Sequence, residues 1–106
     1  MIARVWSGAV RTRDADAYTA YMERTGVRDL AGTAGNRGVY MLRRLDGDRT
    51  VFTMISLWDS LEAIRAFGGD DVEGAVYYPL DEAYLLHRTP TVTHYEVAAT
   101  APLEAA

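Results

Sequence analysis

Apolar residues recur along the chain with two different periods, and their order predicts strands alternating with helices. Residues 2–10 favour a strand, and residue types that cap helices follow at 12–16. A helix is therefore expected to run to about Thr25, with Gly26 as its C-terminal end. One face of this helix is formed by apolar and small residues spaced three and four apart: Tyr18, Tyr21, Met22 and Thr25. A sheet is needed to cover that face.

The middle of the chain predicts a β-hairpin. A glycine-rich loop at 27–38 leads into a β-favouring run at 39–45, and a second run occupies 50–58. Asp46-Gly47 lies between the two runs and is a preferred signal for a two-residue turn, because both positions tolerate a positive φ. We therefore expect the two runs to pair as antiparallel neighbours.

The second half predicts another helix and a last strand. Asp59 to Glu62 resembles a capping box, a stripe continues to Phe67, and Gly68-Gly69 is expected to end the helix. A further short helix is predicted through Val76, then an irregular aromatic-rich connection at 77–84, and a strand at 91–97. The order strand, helix, strand, strand, helix, strand predicts an α+β class with a ferredoxin-like βαββαβ antiparallel sheet. It forms one domain over residues 1–99, with a disordered tail at 100–106.

The third predicted strand is apolar on both faces, which bears on assembly. Phe52, Met54 and Trp58 alternate with Val51, Ile55 and Leu57, whereas a sheet with one face in water should alternate apolar with polar residues. In this topology both helices cover the same side, so the other side would expose a large apolar patch. We therefore expect a homodimer that packs sheet against sheet.

Composition narrows the class of protein. The chain has 106 residues, a formal charge of −4 and eleven basic residues without a basic run, so no nucleic-acid partner is expected. It contains no Cys, which excludes thiol chemistry and fits a reducing compartment. No stretch has the roughly 18 consecutive apolar residues that span a membrane, and the first residues do not resemble a signal peptide. A cytoplasmic location is expected.

Few residues are candidates for chemistry, because motifs for nucleotides, flavins and zinc proteases are absent. His94 and Glu96 share one face of the last strand, but a metal site needs more ligands, so no metal is expected. If His94 lines a pocket, it is a candidate base for a phenol or enol. Trp58 ends the third strand, where ligand-facing rims often form, although a core position is an equal alternative. Seven Tyr against two Phe provide rings that could stack on a planar ligand or anchor a dimer surface.

The segments 35–44 and 56–67, with the Asp-Gly hairpin between them, resemble the antibiotic biosynthesis monooxygenase family of dimeric α+β barrels. The most specific match is the apolar strand that ends in Trp58 and continues with an acidic residue, Ser, a spacer and Glu. The resemblance implies a dimer whose sheets close into a barrel and a pocket between sheet and helices. Better-understood members oxidise polycyclic phenols to quinones with O₂ and without a cofactor.

The haem-degrading branch of the family pairs its Trp with an Asn on the first strand and a His on the second helix. Here Arg4 and Trp6 occupy the first strand and no His lies between Asp59 and Val76, which disfavours haem degradation.

The resulting hypothesis is a cofactor-independent monooxygenase that oxidises a small aromatic or polyketide-like phenol with O₂. Trp58 and His94 are the catalytic candidates, and the substrate-binding candidates are Met54, Phe67, Tyr78 and Tyr84. Two alternatives stay open: a cofactorless polyketide cyclase or isomerase of the same fold, and a non-catalytic dimer that binds small molecules.

Overall fold

The computed structural model describes residues 1–101 and has a four-stranded antiparallel sheet at its centre. The strands are β1 (Ile2–Arg11), β2 (Asn36–Asp46), β3 (Arg49–Trp58) and β4 (Thr93–Glu96), in the spatial order β2-β3-β1-β4. Each connection from β1 to β2 and from β3 to β4 skips one strand, as a ferredoxin-like sheet requires. The predicted α+β class and βαββαβ topology are confirmed. The predicted tail lies mostly at 102–106, outside the described residues.

The helices cover one face of the sheet. They are α1 (Ala15–Met22), a π-helical stretch (Glu23–Val27) that continues directly into α2 (Arg28–Ala31), α3 (Leu61–Gly68) and α4 (Asp81–Tyr84), and a single 3₁₀ turn (Thr12–Asp14) precedes α1. None of the helices in residues 1–101 is long and apolar enough to cross a membrane.

The prediction that Gly26 ends the first helix was wrong. The chain stays helical to Ala31, and Gly26 is buried with its α-carbon facing Met22 and Tyr78. The apolar stripe continues to Leu30, which is 5% exposed. Burial of Leu30 outweighs the roughly 1 kcal/mol that a helical glycine costs. The predicted loop at 27–38 is correspondingly shorter.

Glycines mark two boundaries close to where the sequence predicts them. The hairpin turn consists of Gly47 and Asp48, one residue later than expected, and Gly47 has a φ of 65°. A two-residue hairpin turn with glycine in its first central position has this geometry. Gly69 follows α3 with a φ of 83°, and the predicted end of that helix is confirmed.

Local hydrogen bonds explain the other differences. The N-cap of α3 is Ser60, whose Oγ accepts from the Ala63 amide, so the predicted box between Asp59 and Glu62 does not form. No helix forms at 70–76. A short helix, α4, lies in the predicted irregular connection. The last strand is four residues long, shorter than the predicted seven at 91–97.

The two faces of β3 have different surroundings. Even-numbered residues from Thr50 to Trp58 are buried under the helices, and the odd-numbered ones between them are half-buried. The main core lies between the sheet and the helices, and its largest fully buried side chains are Trp58, Tyr18, Phe52 and Ile64. The opposite face exposes Tyr40, Leu42 and Tyr95. The described chain therefore has a helix-covered face and an uncovered, largely apolar face.

Candidate functional site

A cavity lies between the inner face of the sheet and the helices. Its volume is about 40 Å³, which exceeds the roughly 10–15 Å³ that a single water molecule needs. Its wall is mostly aromatic and apolar, and the residues of this kind are Trp6, Tyr18, Met22, Leu30, Met54, Phe67, Val76, Tyr77, Tyr78 and Val92. Its polar and small residues are Arg4, Gly26, Ser56 and Asp81. A mostly apolar wall with a few converging polar groups is typical of small-molecule sites.

Strand register determines the floor of the cavity. Arg4 of β1 pairs with Ser56 of β3, and Trp6 pairs with Met54. Residues two apart on a strand point to the same face, so these four side chains form two adjacent rows beneath the helices. His94 of β4 pairs with Arg4 on its other side and extends the first row toward the sheet edge.

The roof comes from residues spaced by four along the first helical segment. Tyr18, Met22, Gly26 and Leu30 all line the cavity, and the π-helical stretch lies between Met22 and Leu30. An α-helix advances 3.6 residues per turn, so residues four apart drift gradually around its axis. A π-helical turn contains more residues and rotates less per residue, which returns Leu30 to the cavity side.

Arg4 brings a buried positive charge to the wall. Its side chain donates from Nη1 to the Val72 carbonyl at 2.6 Å and from Nη2 to the Gly74 carbonyl at 3.0 Å. The backbone of the 70–76 segment also pairs with residues 90–92: the Ala75 amide donates to the Pro90 carbonyl, and the Val92 amide donates to the Glu73 carbonyl. Nη1 also lies 3.3 Å from Nε2 of His94, and the guanidinium carbon lies 5.7 Å from the Phe67 ring centroid. Burial lowers the pKa of Arg4 from its ordinary value. An arginine still remains charged.

The contact with Arg4 determines the protonation state of His94. A guanidinium only donates hydrogen bonds, so Nε2 of His94 accepts and the ring is neutral when this bond forms. Burial lowers the pKa of His94 below its ordinary 6.5, the charge of Arg4 lowers it further, and Glu73 raises it in part. His94 is therefore a weaker base than a free histidine.

Asp81 places a buried carboxylate in another part of the wall. The Tyr18 hydroxyl donates to Oδ1 at 3.0 Å, and the Tyr78 amide donates to Oδ2 at 2.7 Å. Asp81 is 2% exposed. Burial and the hydrogen bond to Asp81 raise the pKa of Tyr18 far above its ordinary value of 10.0. Tyr18 therefore stays protonated and acts as a donor.

Tyr78 lies at the edge of the cavity. Together with Phe67 and Val76, it also lines an outer groove of about 610 Å³ beside α2. Its hydroxyl donates to Oδ2 of Asp29 at 2.7 Å. Burial and this bond raise the pKa of Tyr78 above its ordinary value. The next residue, Tyr77, accepts from the Trp6 indole at 3.2 Å and donates to the Thr89 carbonyl.

The structure brings three of the six sequence-predicted site residues together. Met54, Phe67 and Tyr78 line the cavity. Trp58 lies in the core, where its indole donates to Oγ of Ser56 at 2.8 Å and its ring centroid is 6.2 Å from that of Phe67. Trp58 thus reaches the wall through Ser56 and Phe67.

The other two predicted residues lie beside the wall. His94 adjoins it through Arg4. Tyr84 packs against two rings of α1, with centroid distances of 5.5 Å to Tyr18 and 5.9 Å to Tyr21.

Arg4 and Asp81 are the charged wall residues that the sequence analysis did not single out. Arg4 occupies an inward position between Ile2 and Trp6, and a charge in the apolar row of a strand is a signal that could have identified it. Asp81 follows a turn and resembles an ordinary helix-start residue, so the sequence carried no signal for it. In residues 1–101 no group of three or more His, Asp or Glu could hold a metal ion.

Comparison with solved structures identifies proteins that share the fold of this chain. The heme-degrader MhuD from Mycobacterium tuberculosis, solved with two hemes in its active site, matches with a TM-score of 0.58 and 15% identity over 96% of this chain and all of that one. A point mutant of MhuD with two manganese protoporphyrin IX molecules per active site matches with a TM-score of 0.60 and 15% identity, over 96% of this chain and 99% of that one. No family model and no curated protein matches the chain. The chain therefore has the ferredoxin-like α+β fold that MhuD has.

Proposed function

We propose that this protein belongs to the antibiotic biosynthesis monooxygenase class of dimeric α+β barrels and oxidises a small aromatic phenol with O₂, without a cofactor. The observation that carries the proposal is the aromatic-walled cavity between sheet and helices. Its wall offers rings and thioethers to a planar ligand, and a buried cation lies among them. The sequence resemblance to the class and the shared fold with MhuD support it.

The reaction balances without a cofactor because the substrate is its own reductant. A phenol that carries hydrogen at the reacting carbon combines with one O₂ to give a quinone and one water. The phenolate first passes one electron to O₂, and the two radicals then join through a carbon–oxygen bond. Loss of the ring proton and cleavage of the O–O bond give the quinone, and the second oxygen leaves as water. The protein has to hold the ring, favour the ionised phenol and exclude bulk water.

Different residues of the site hold the ring and position the groups around it. Met54, Phe67 and Trp6 pack against the ring, and Tyr78 closes the wall toward the outer groove. Trp58 and His94 are positioning residues: Trp58 holds Ser56 and Phe67 in place, and neutral His94 accepts from Arg4. Tyr84 supports the ring of Tyr18 from behind.

Binding of a phenol requires the cavity to widen. Sites for drug-sized ligands occupy about 300–1,000 Å³. The cavity of about 40 Å³ is smaller, but it shares the lining residues Phe67, Val76 and Tyr78 with the 610 Å³ groove. Rotation of Tyr78 away from Asp29 joins them, at the cost of one exposed hydrogen bond. We propose this as the route of access.

The wall offers haem iron the thioethers of Met22 and Met54 but no histidine. Haem iron in proteins is held by His, Cys, Met or Tyr. Neither of the two histidines lines the cavity, and the hydroxyls of Tyr18, Tyr77 and Tyr78 already donate to protein oxygens. The described wall thus offers a porphyrin no histidine ligand and no uncommitted tyrosine. A phenol needs neither.

The uncovered sheet face supports a homodimer, and we propose a second copy of the chain as its cover. Tyr40 and Leu42 of β2 lie beside Ile55 and Thr53 of β3 on this face, and Tyr95 adjoins it on β4. A contiguous apolar face of this kind commonly marks a protein interface.

The proposed class of protein and the absence of Cys both favour the predicted cytoplasmic location.

Oxygen uptake tests the proposed reaction. Metal-free protein is mixed with a panel of hydroxynaphthalenes and hydroxyanthracenes in an oxygen-electrode cell, and quinone formation is followed by absorbance. We expect uptake of one O₂ per quinone and no inhibition by chelators. Oxygen uptake that is no faster than with heat-inactivated protein would refute the proposed oxygenase activity. Product formation without oxygen would favour the cyclase or isomerase alternative, and saturable binding without turnover would favour the non-catalytic one.

A further inference from the structure

Arg4 is a buried charge without an acidic partner, and this sets it apart from other arginines of the chain. Only 5% of the surface of Arg4 is exposed. In residues 1–101 the ion pairs join Arg37, Arg43, Arg49 and Arg65 to carboxylates at the surface, and none involves Arg4. Charged side chains are almost never fully buried unless they are paired. The positive charge of Arg4 is therefore stabilised by two backbone carbonyls and the face of the Phe67 ring, without a carboxylate.

The groups that face Arg4 leave its charge uncancelled. On the loop side it donates to the Val72 and Gly74 carbonyls, and on the β4 side it meets neutral His94. Glu73 acts on His94 but makes no ion pair with Arg4. Asp81, which also lines the cavity, already accepts from Tyr18 and from the Tyr78 amide.

A chemically suitable ligand position lies next to the guanidinium. Arg4, Trp6, Met54 and Phe67 line the same cavity, and Arg4 lies over the face of the Phe67 ring. An aromatic ring between Trp6 and Phe67 would bring a ring oxygen to Arg4. Hydrogen bonds from guanidinium to an anionic oxygen are about twice as strong as those between neutral groups. The carboxylate of Asp81 would repel an anionic oxygen, so the oxygen is favoured beside Arg4 rather than beside Asp81.

We infer that the cavity selects the anionic form of its ligand, a phenolate or an aromatic carboxylate, and that Arg4 is the residue that binds the negative oxygen. The inference rests on the proposed function in taking this cavity as the ligand site. It adds that the protein binds the ionised substrate rather than generating it with a strong base. A phenolate is also the form that gives up an electron to O₂.

A structural role for Arg4 predicts something different. Arg4 ties β1 to the loop at 72–74, and if that were its whole role, the cavity would bind neutral and anionic rings alike. Charge selectivity in the wild-type protein therefore separates the two roles without any mutation.

Para-nitrophenol is a suitable probe, because only its phenolate absorbs strongly in the visible range. It is titrated with wild-type protein under nitrogen, so that oxidation plays no part. We expect the phenolate to bind at least tenfold more tightly than the phenol, which lowers the pKa of the bound probe by at least one unit. Benzoate should likewise outcompete its neutral analogue benzamide. Equal or tighter binding of the neutral forms would overturn the inference.

Variants then assign the selectivity to Arg4. Arg4→Lys should keep much of the preference for the phenolate, and Arg4→Met should abolish it while benzamide still binds. Arg65→Gln is the matched control, since it removes one positive charge from an exposed ion pair on α3. Loss of selectivity in Arg65→Gln, or its full retention in a folded Arg4→Met, would contradict the assignment. If Arg4→Met does not fold, the wild-type titration still tests whether the cavity prefers the anionic ligand, and Arg4→Lys still tests whether a positive charge at this position maintains that preference.

The two proposals can fail independently. Selective binding of phenolate without oxygen uptake would remove the oxygenase and leave the anion site. Oxygen uptake with no charge selectivity would remove the anion site and leave the oxygenase.

Discussion

Replacement of Gly26 by alanine should raise stability and weaken ligand binding at the same time. Gly26 is buried within the π-helical stretch, has a negative φ and lines the cavity. A Cβ at this position would meet the terminal methyl of Met22 at 3.1 Å and the Tyr78 ring at 3.8 Å. The added methyl therefore projects toward cavity space and toward one flexible side chain.

The expected stability gain follows from the backbone. Glycine in a helix interior is about 0.8–1.0 kcal/mol less favourable than alanine. Displacement of the flexible Met22 side chain offsets part of this, which leaves a net gain of about 0.5 kcal/mol. For a domain of this size, that corresponds to a rise in Tm of about 2–4 °C.

The expected loss of binding follows from the cavity volume. The cavity has a volume of only about 40 Å³, so one added methyl group removes a substantial part of it. We expect the Kd for para-nitrophenolate to rise at least tenfold, or about 1.4 kcal/mol.

Thermal and urea denaturation measure the stability, and anaerobic titration measures the affinity. Ala20→Gly is the matched control, because Ala20 is exposed on α1 and makes the opposite exchange away from the cavity. It should lose about 1 kcal/mol of stability and leave the Kd unchanged. Unchanged affinity in a stabilised Gly26→Ala would refute the assignment of the cavity as the ligand site. A loss of more than about 1 kcal/mol would show that Met22 cannot move aside.

Three further predictions concern the buried polar pair, a histidine and the uncovered sheet face. Tyr18→Phe deprives the buried Asp81 of a donor and should cost about 1–3 kcal/mol in urea denaturation; a change near zero would contradict the described hydrogen bond. The folded state lowers the pKa of His94 below 6.5, so the unfolded state binds more protons as the pH falls through this value. The stability that depends on neutral His94 is therefore fully present above pH 6.5 and is lost as the pH falls through the lowered pKa. His94→Gln should lose less stability than wild type on acidification, and parallel pH profiles would speak against this. Leu42→Asp, at a residue 49% exposed in the single chain, should convert a dimer to a folded monomer in sedimentation velocity; an unchanged sedimentation coefficient would count against the proposed interface.

Local sequence signals predicted the first three strands better than the last strand and the helix ends. The hairpin turn at Gly47 and the end of α3 at Gly69 follow from backbone preferences that act within a few residues. The first helix continues through Gly26 because Leu30 is buried by the sheet, which is a contact between distant parts of the chain. The helix predicted at 70–76 is absent where Arg4, nearly 70 residues earlier, takes two of its carbonyls.

The sequence by itself determined the order of elements, the α+β class and the apolar character of both faces of β3, because periodicity and turn residues act locally. It also pointed to Met54, Phe67 and Tyr78, which the cavity brings together. Only the tertiary structure decided that Trp58 lies in the core and that Arg4 and Asp81 enter the cavity wall. The burial of a charge and the shape of a void depend on strand register and on side chains from distant elements, and no local pattern encodes them.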